Sequence, residues 1–195
     1  MSNEAKKDKF IKYCIANALC KLMDNNTFEE ITVNEICNEA HIGRATYYNH
    51  ANGKKGKEEL LNFKLSKDYD EYVKTRERRP NDGGDLLNFV LVNKKLFAKL
   101  HEYRLSNVII DFLLYTNKYE EDRQDNEYIS HYTCFGYLGL MYQWYRNGFK
   151  ESPAEICDII RNKYIEILDE INKKEITIDK MPQAYSLRHF LRLFA

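Results

Sequence analysis

Apolar residues recur every three or four positions through most of this chain, and this spacing predicts helices throughout. A first helix is predicted over 7–23, with one apolar face formed by Phe10, Ile11, Cys14, Ile15, Ala18, Leu19 and Leu22. Thr32 and Glu35 then have the spacing of a capping box, which predicts the start of a second helix. Residues 41–43 interrupt the pattern, and a third short helix is predicted over 44–50. Two short helices joined by such a turn are typical of a helix-turn-helix.

The rest of the chain carries the same helical spacing. Longer helices are predicted over 57–79, 85–100, 105–115, 128–147 and 153–172. The helix over 105–115 is apolar on nearly all sides, so we expect it to be buried centrally. Ser152, Pro153 and Glu155 combine a cap, a first-turn proline and a capping acid before the last helix. The predicted fold class is therefore all-α.

Composition agrees with a helical protein that buries a real core. The chain has 195 residues, is 44% hydrophobic, and contains only three prolines and eight glycines. It has no apolar run of about eighteen residues, so no membrane span is expected. The first ten residues, MSNEAKKDKF, lack the apolar segment of a signal peptide, and we expect a cytoplasmic protein.

Charge changes this picture only locally, because the whole chain balances at 30 basic and 30 acidic residues. Between Ala40 and Lys57 the basic residues are Arg44, Lys54, Lys55 and Lys57, and there is no Asp or Glu. Clustered cations of this kind supply most of the non-specific affinity for DNA. A lysine-rich loop alone is usually just solvated, but the capped helix pair before it favours a DNA-binding role.

Residues from about Lys9 to Leu61 resemble the DNA-binding domain of the TetR family of bacterial transcription regulators. The resemblance rests on Phe28, Ile31, Thr32, Val33, Ile36, Cys37, Ala40, Ile42, residues 44–50 and residues 57–61. The run FGYLGLMYQWYRNGFKESPAE, from Phe135 to Glu155, resembles the C-terminal domain of one TetR subgroup. The resemblance implies a three-helix N-terminal helix-turn-helix domain over 1–56, followed by a helical C-terminal ligand-binding and dimerisation domain over 57–195.

Three departures from the family pattern lie in the helix-turn-helix region. His41 stands where the family has a turn glycine, and histidine tolerates a left-handed backbone at some cost. Gly43 replaces a serine cap, and Ala51 replaces a phenylalanine. The loop over 52–56 is about three residues longer than in the family, so Lys57 follows a longer connection than its family counterpart.

The resemblance also implies which residues contact DNA. We expect Tyr47 to point inward, while Arg44, Ala45 and Asn49 reach base edges in the major groove. Thr32 would touch phosphate, cap the helix, or do both. Thr46, Tyr48, His50 and Lys57 would mainly hold the phosphate backbone, and base contacts of Thr46 and Tyr48 are left open. The complete predicted set is Thr32, Arg44, Ala45, Thr46, Tyr48, Asn49, His50 and Lys57.

The last two long helices are expected to form the dimer interface. In the TetR subgroup these helices pair with their copies in a second subunit as a four-helix bundle. The interface residues predicted here are Tyr132, Phe135, Gly136, Gly139, Tyr142, Ile156, Ile160, Tyr164 and Ile167. A glycine in a helix interior costs about 1 kcal/mol, which makes sense where another helix approaches closely. The alternative is that both apolar faces belong to an internal core.

Together these observations predict a homodimeric, sequence-specific DNA-binding transcriptional regulator, a repressor in most of the family. Its partners would be a pseudo-palindromic double-stranded DNA operator and a second copy of itself. Release by a small-molecule effector, bound among the helices after Asp85, is left open, and no ligand residues are named. The alternative function is a TetR-like helical protein-interaction module controlled by a protein partner.

Other classes of function have little support in the sequence. His101 and His131 are lone histidines, and the chain has no nucleophile elbow, phosphate loop or carboxylate dyad, so we expect no enzymatic activity. The five cysteines, Cys14, Cys20, Cys37, Cys134 and Cys157, are scattered and lack the spacing of a zinc site. We therefore expect reduced thiols, no metal and no cofactor.

Overall fold

The structure is a computed structural model that describes residues 3–51, 56–77, 84–116 and 127–173, without the side chains of 3, 129, 164 and 167–173. Within these ranges the chain forms nine α-helices and no strand, which confirms the predicted all-α class. The helices are α1 (Asn3–Leu22), α2 (Val33–Glu39), α3 (Arg44–His50), α4 (Gly56–Thr75), α5 (Gly84–Val92), α6 (Lys94–Glu102), α7 (Ser106–Thr116), α8 (Glu127–Arg146) and α9 (Pro153–Lys173).

These helices belong to two compact units. The first unit comprises Met1–Lys74 and Lys95–Lys118, and the second comprises Thr75–Lys94 and Tyr119–Ala195. Helices α6 and α7 thus pack with α1 to α4, although they follow α5 in the chain. The domain boundary after residue 56 stays a prediction.

The first unit is built on the apolar face of α1, which packs against α2 and α3. Ile15, Ala18 and Leu19 of that face are buried as the spacing predicted, whereas Phe10, predicted for the same face, is 64% exposed. Phe28 and Ile31, before α2, are also buried. Beyond α6, the hydroxyl of Tyr103 donates to the carbonyl oxygen of Asn26 at 3.1 Å, close to the end of α1. The loop that leads into α2 is therefore held by its buried apolar side chains and by the hydrogen bond from Tyr103.

A row of polar side chains joins α4 to α7. Asn107 donates to Glu58 at 2.5 Å, and Asn62 donates to Asp111 at 3.2 Å. Tyr115 donates to Asp70 at 2.7 Å. The α7 residues of these three pairs, Asn107, Asp111 and Tyr115, lie four residues apart on one face of the helix. Val108, Ile109, Phe112 and Leu113 of the same helix are buried. The expectation that α7 is buried centrally therefore holds for these apolar residues and not for the face that carries Asn107 and Asp111, which are exposed.

Two predicted helix boundaries need correction. The helix expected over 85–100 divides into α5 and α6 at Asn93, whose side-chain amide donates to the carbonyl oxygen of Phe89 at 2.9 Å. A short amide that bonds its own backbone competes with a continuing helix. The helix expected to reach residue 79 ends at Thr75, and the next residue, Arg76, forms an ion pair with Asp85 at 2.6 Å.

In the second unit, α5 packs against α9, and a short turn connects α8 to α9. The predicted start of α9 is confirmed by a capping box. The backbone N–H of Ser152 donates to Glu155 at 2.7 Å, and the N–H of Glu155 donates to the Ser152 hydroxyl at 3.2 Å. The indole of Trp144 donates to the carbonyl oxygen of Glu151 at 3.0 Å and packs on Phe149. These contacts fix the turn between the two helices.

All five cysteines are free thiols, as expected. Burial raises the pKa of Cys20 to about 12 and the pKa of Cys157 to about 11. No group of three or more His, Cys, Asp or Glu with metal-binding geometry occurs among the described residues. No described helix combines the length and apolar composition that a membrane span needs.

Candidate nucleic-acid interface

Helix α2 begins with the capping box that the sequence predicted. The backbone N–H of Thr32 donates to Glu35 at 2.7 Å, and the N–H of Glu35 donates to the Thr32 hydroxyl at 3.3 Å. The backbone N–H of Thr32, and then its hydroxyl at 2.7 Å, donate to the Glu35 carboxylate and lower the pKa of Glu35. Thr32 is exposed at the helix start, so its capping role is observed and its phosphate contact stays a prediction.

The turn between α2 and α3 is closed by a Schellman motif. The N–H of Ile42 donates to the carbonyl oxygen of Cys37 at 3.0 Å, and the N–H of His41 donates to that of Asn38 at 3.2 Å. His41 has φ of 53°, the left-handed conformation expected at this position. The histidine therefore performs the turn function that the family gives to glycine, at the conformational cost of a side chain there.

Gly43 occupies the N-cap position of α3. Its φ of −78° and ψ of 155° are those of an ordinary N-cap, but no side chain caps the helix. The cap that the sequence predicted to be missing is therefore missing in the structure. A Cβ atom built on Gly43 would have no heavy atom within 4 Å.

Helix α3 presents one buried and one exposed face. Tyr47 is only 3% exposed, which confirms that it points inward. Arg44, Ala45 and Asn49 are exposed on the other side of the helix, and Tyr48 is also exposed. The rings of Tyr47 and Tyr48 meet edge to face, with centroids 5.5 Å apart. This contact fixes the position of Tyr48 relative to the buried face.

The exposed face of α3 carries positive charge without a neighbouring carboxylate in the helix. A side-chain hydrogen bond with Tyr48 raises the pKa of Arg44, whose guanidinium is charged at neutral pH with or without that bond. Arg44 and Tyr48 are one turn apart, which places both groups at the same edge of the helix. This edge can donate hydrogen bonds to a polyanion.

His50, at the last position of α3, is held inside the first unit. Its Nδ1 atom donates to the carbonyl oxygen of Thr46 at 2.8 Å, and its Nε2 atom lies 2.8 Å from a carboxylate oxygen of Asp8 on α1. The side chain is only 10% exposed. The phosphate contact predicted for His50 is untested, and in this arrangement both ring nitrogens already have partners.

Lys57, in the first turn of α4, is also engaged. Its ammonium donates to the carbonyl oxygen of Phe28 and, at 3.1 Å, to that of Ile31. It also lies over the Phe28 ring, 4.5 Å from the ring centroid. Burial lowers the pKa of Lys57, and the nearby Glu29 opposes that shift. The predicted phosphate contact of Lys57 stays a prediction.

The structure thus divides the eight predicted DNA-contacting residues into two groups. Thr32, Arg44, Ala45, Tyr48 and Asn49 are exposed on α2 and α3, while Thr46, His50 and Lys57 are partly covered. Sequence reasoning missed Asp8 as the partner of His50, and it missed the carbonyl acceptors of Lys57. No local pattern indicates either contact, because each joins segments far apart in the chain.

A second candidate surface lies on α8 and α9. Tyr132, Phe135 and Tyr142 are 60%, 56% and 50% exposed, and Gly136 and Gly139 are exposed between them. Ile159 on α9 is 61% exposed, whereas Ile156 is buried and Ile160 is intermediate. The side chains of Tyr164 and Ile167, also predicted for this surface, lie outside the described residues.

An apolar groove with a volume of about 840 Å³ lies between α8 and α9, and the residues of this surface that line it are Tyr132, Phe135, Gly136, Ile156, Ile159 and Ile160. At one end of the groove, Gln143 donates to Asn147 at 3.0 Å and Asn147 donates to Glu151 at 2.9 Å. Within this unit, a Cβ atom built on Gly139 would meet no heavy atom within 4 Å. An exposed apolar surface of this kind on a globular unit marks an interaction site.

Residues 85–166 match the family described as the transcriptional regulator C-terminal region of the TetR type. This match over 85–166 supports the TetR resemblance that the sequence predicted. No curated protein matches the chain.

Proposed function

We propose that this chain is a TetR-family regulator, a homodimeric, sequence-specific DNA-binding protein that acts as a repressor. The observation that carries the proposal is the orientation of α3. Tyr47 is buried in the first unit, and Arg44, Ala45 and Asn49 lie on the opposite, exposed face. A short helix held in this way can enter the major groove with its polar face against the base edges.

The exposed residues of α3 suit direct readout of bases. A guanidinium such as that of Arg44 pairs with guanine, and an amide such as that of Asn49 pairs with adenine. The methyl group of Ala45 suits contact with a thymine methyl. Each good bidentate pair contributes roughly 1–3 kcal/mol of discrimination, so a single α3 gives only modest specificity.

Phosphate contacts would orient α3 on the duplex. We assign these to Thr32, Thr46 and Tyr48, all of which carry a hydroxyl group beside the predicted base-reading face. Neutral donors of this kind position a protein on DNA without releasing counterions. The cations at Lys54 and Lys55, outside the described residues, would supply the salt-dependent part of the affinity.

Dimerisation would provide the second copy of α3 that useful specificity requires. We propose that the exposed apolar face of α8 and α9 packs on the same face of a second chain, which agrees with the exposure of Tyr132, Phe135 and Tyr142. A two-fold pair reads two half-sites about 34 Å apart, one helical turn of DNA, or a multiple of that distance. The operator would therefore be a pseudo-palindrome.

The deciding experiment maps where the chain binds on its own genome and then measures the recovered duplex by fluorescence anisotropy at several salt concentrations. We expect a sequence-dependent complex of two chains per site, with a steep salt dependence. Sedimentation without DNA should give a dimer. If no complex forms even at low salt, DNA binding is refuted and the partner-controlled interaction module becomes the better explanation.

Repression is tested by transcription in vitro from a promoter that overlaps the mapped site. Added protein should lower transcript levels in proportion to site occupancy, whereas an increase would identify an activator. Control by a small molecule would require a ligand with different affinities for the free and the DNA-bound states. A compound that lowers DNA affinity in the anisotropy measurement would meet that condition.

A further inference from the structure

The ammonium of Lys57 is fixed at the point where the chain enters α2. It donates to the carbonyl oxygens of Phe28 and Ile31 and lies over the ring of Phe28. An ammonium has three donors, and two of them are used by these carbonyls. The contact therefore joins the first turn of α4 to the residue immediately before the N-cap of α2.

The segment that Lys57 holds is itself well anchored. Phe28 is 6% exposed and Ile31 is 3% exposed, so both side chains are part of the core of the first unit. The N–H of Ile31 donates to the carbonyl oxygen of Thr27 at 3.3 Å, which closes the turn before α2. Because that turn leads directly to Thr32, Lys57 sets the direction in which α2 leaves the core.

Helix α3 depends on that direction. The Schellman motif of residues 37–42 connects α2 to α3 without a flexible linker, and α1 packs against both helices. A change in the direction of α2 would therefore also move Arg44, Ala45 and Asn49 on the exposed face of α3.

We infer that Lys57 is a positioning residue: it aligns the helix-turn-helix through the turn of residues 27–31 and neutralises no phosphate in the DNA complex. The inference rests on the proposed DNA-binding function and gives Lys57 a different part in it from a direct phosphate contact. For Lys57 to reach a phosphate, its ammonium would have to leave two carbonyl acceptors and the Phe28 ring.

The two roles predict different dependences of DNA affinity on salt concentration and on DNA sequence. A lysine that neutralises a phosphate contributes about 0.9 per site to the slope of log affinity against log salt, and its loss weakens all sequences alike. A positioning lysine contributes nothing to that slope. Its loss weakens operator DNA more than random DNA, because only base contacts need accurate placement of α3.

The experiment compares the full-length wild type with Lys57→Met, which keeps the length of the side chain and removes its charge and donors. Anisotropy is measured with the mapped operator duplex and with a random duplex of equal length, at several salt concentrations. We expect Lys57→Met to bind the operator about ten times more weakly, to bind random DNA within about twofold of wild type, and to keep the wild-type salt slope on both duplexes.

Two further variants keep the result interpretable. Lys74→Met removes an exposed lysine near the end of α4 that pairs with Glu71 in the same helix, and we expect it to behave like wild type. Lys57→Arg retains the charge but places a planar guanidinium where a compact ammonium fits between two carbonyls. It should lose operator affinity if Lys57 positions α2, and retain it if Lys57 only binds phosphate. This comparison decides the question even if Lys57→Met does not fold.

A salt slope reduced by about 0.9 per subunit, with equal losses on both duplexes, would overturn the inference and leave the proposed function intact. If wild-type protein binds neither duplex, both are overturned. Parallel salt slopes with a selective loss on the operator support the positioning role.

Discussion

The imidazole of His50 connects α3 to α1. Its Nε2 atom lies 2.8 Å from a carboxylate oxygen of Asp8, and its Nδ1 atom donates to the carbonyl oxygen of Thr46. His50 is nearly covered, whereas Asp8 is largely exposed. The end of α3 is thus connected to α1 by a side-chain contact as well as by apolar packing.

Replacing the carboxylate partner should therefore affect DNA binding without removing any DNA-contacting group. We expect Asp8→Ala to lower the free energy of unfolding by no more than about 1 kcal/mol, because one side of the pair is in solvent. Operator affinity should fall by several-fold, since α3 loses one of its supports. Urea unfolding and anisotropy on the mapped duplex measure the two effects.

Glu4→Ala is a suitable control, because Glu4 is an exposed acid in the same helix. It changes the net charge by the same amount as Asp8→Ala. If both variants change operator affinity equally, the effect comes from charge and the bridge to His50 has no role in positioning α3.

Arg44 should determine preference at one base position. We expect Arg44→Ala to lower operator affinity by about 1–3 kcal/mol and to relax selectivity at the position it contacts, because a bidentate pair with guanine is lost. Binding to a panel of duplexes with single base changes measures this. An equal loss across the whole panel would show that Arg44 contacts only the backbone.

A cap added to α3 should stabilise the first unit. Gly43 has N-cap geometry, no capping side chain and open space around its Cβ position. We expect Gly43→Ser to raise the free energy of unfolding by about 0.5 kcal/mol, through a new hydrogen bond and a less flexible unfolded chain. Urea unfolding of the two proteins measures the gain.

Gly56 provides the matched control for that substitution. A Cβ atom on Gly56 would lie 2.9 Å from the carbonyl oxygen of Ala51, which requires the backbone to shift. Gly56→Ala should therefore destabilise the protein even though alanine favours helices. Stabilisation by Gly56→Ala, or destabilisation by Gly43→Ser, would contradict this account of the two glycines.

Gly139 tests the proposed dimer. Its Cβ position is open within the described unit, so Gly139→Leu should fold and gain helix propensity of roughly 1 kcal/mol. If α8 packs closely on a second chain, the leucine should shift the protein toward monomer in sedimentation experiments. Val92→Leu, at an exposed position of α5 outside the groove, should leave the oligomeric state unchanged. A Gly139→Leu protein that remains fully dimeric would exclude close packing at this glycine.

The two capping boxes predict a specific acid dependence of stability. Hydrogen bonds from Thr32 lower the pKa of Glu35, and hydrogen bonds from Ser152 lower the pKa of Glu155, each from an ordinary value of 4.5. A lowered folded-state pKa means that the stabilisation is complete above the unfolded-state value and is lost as pH falls through the folded-state value.

The double variant Glu35→Gln and Glu155→Gln should therefore show a shallower loss of stability below about pH 4.5 than wild type. Urea unfolding at a series of pH values from neutral to acidic provides the comparison. If the free energy of unfolding falls in parallel with pH for the two proteins, neither capping carboxylate contributes to the loss of stability in acid.

The features that the sequence predicted well are those set by near neighbours. The Thr32 and Ser152 capping boxes depend on residues within one turn, so their spacing in the sequence indicates them directly. The left-handed backbone of His41 and the inward side chain of Tyr47 were expected from the family resemblance, and both are present.

The features that could not be predicted depend on segments distant in the chain. Nothing near Lys57 indicates that its ammonium meets a carbonyl 29 residues earlier, and nothing near His50 indicates Asp8. The polar pairs between α4 and α7 are hidden for the same reason, since Asn107 and Asp111 look like isolated polar residues in an apolar helix. The break at Asn93 shows that one side-chain amide can end a helix that apolar spacing would continue.

The buried thiols bear on which chemical signals the protein can sense. Oxidants and alkylating agents react with the thiolate form of cysteine, and burial raises the pKa of Cys20 to about 12 and that of Cys157 to about 11. Both sulfur atoms therefore stay protonated at neutral pH and react slowly with peroxide. Neither of these two cysteines is suited to act as a redox sensor.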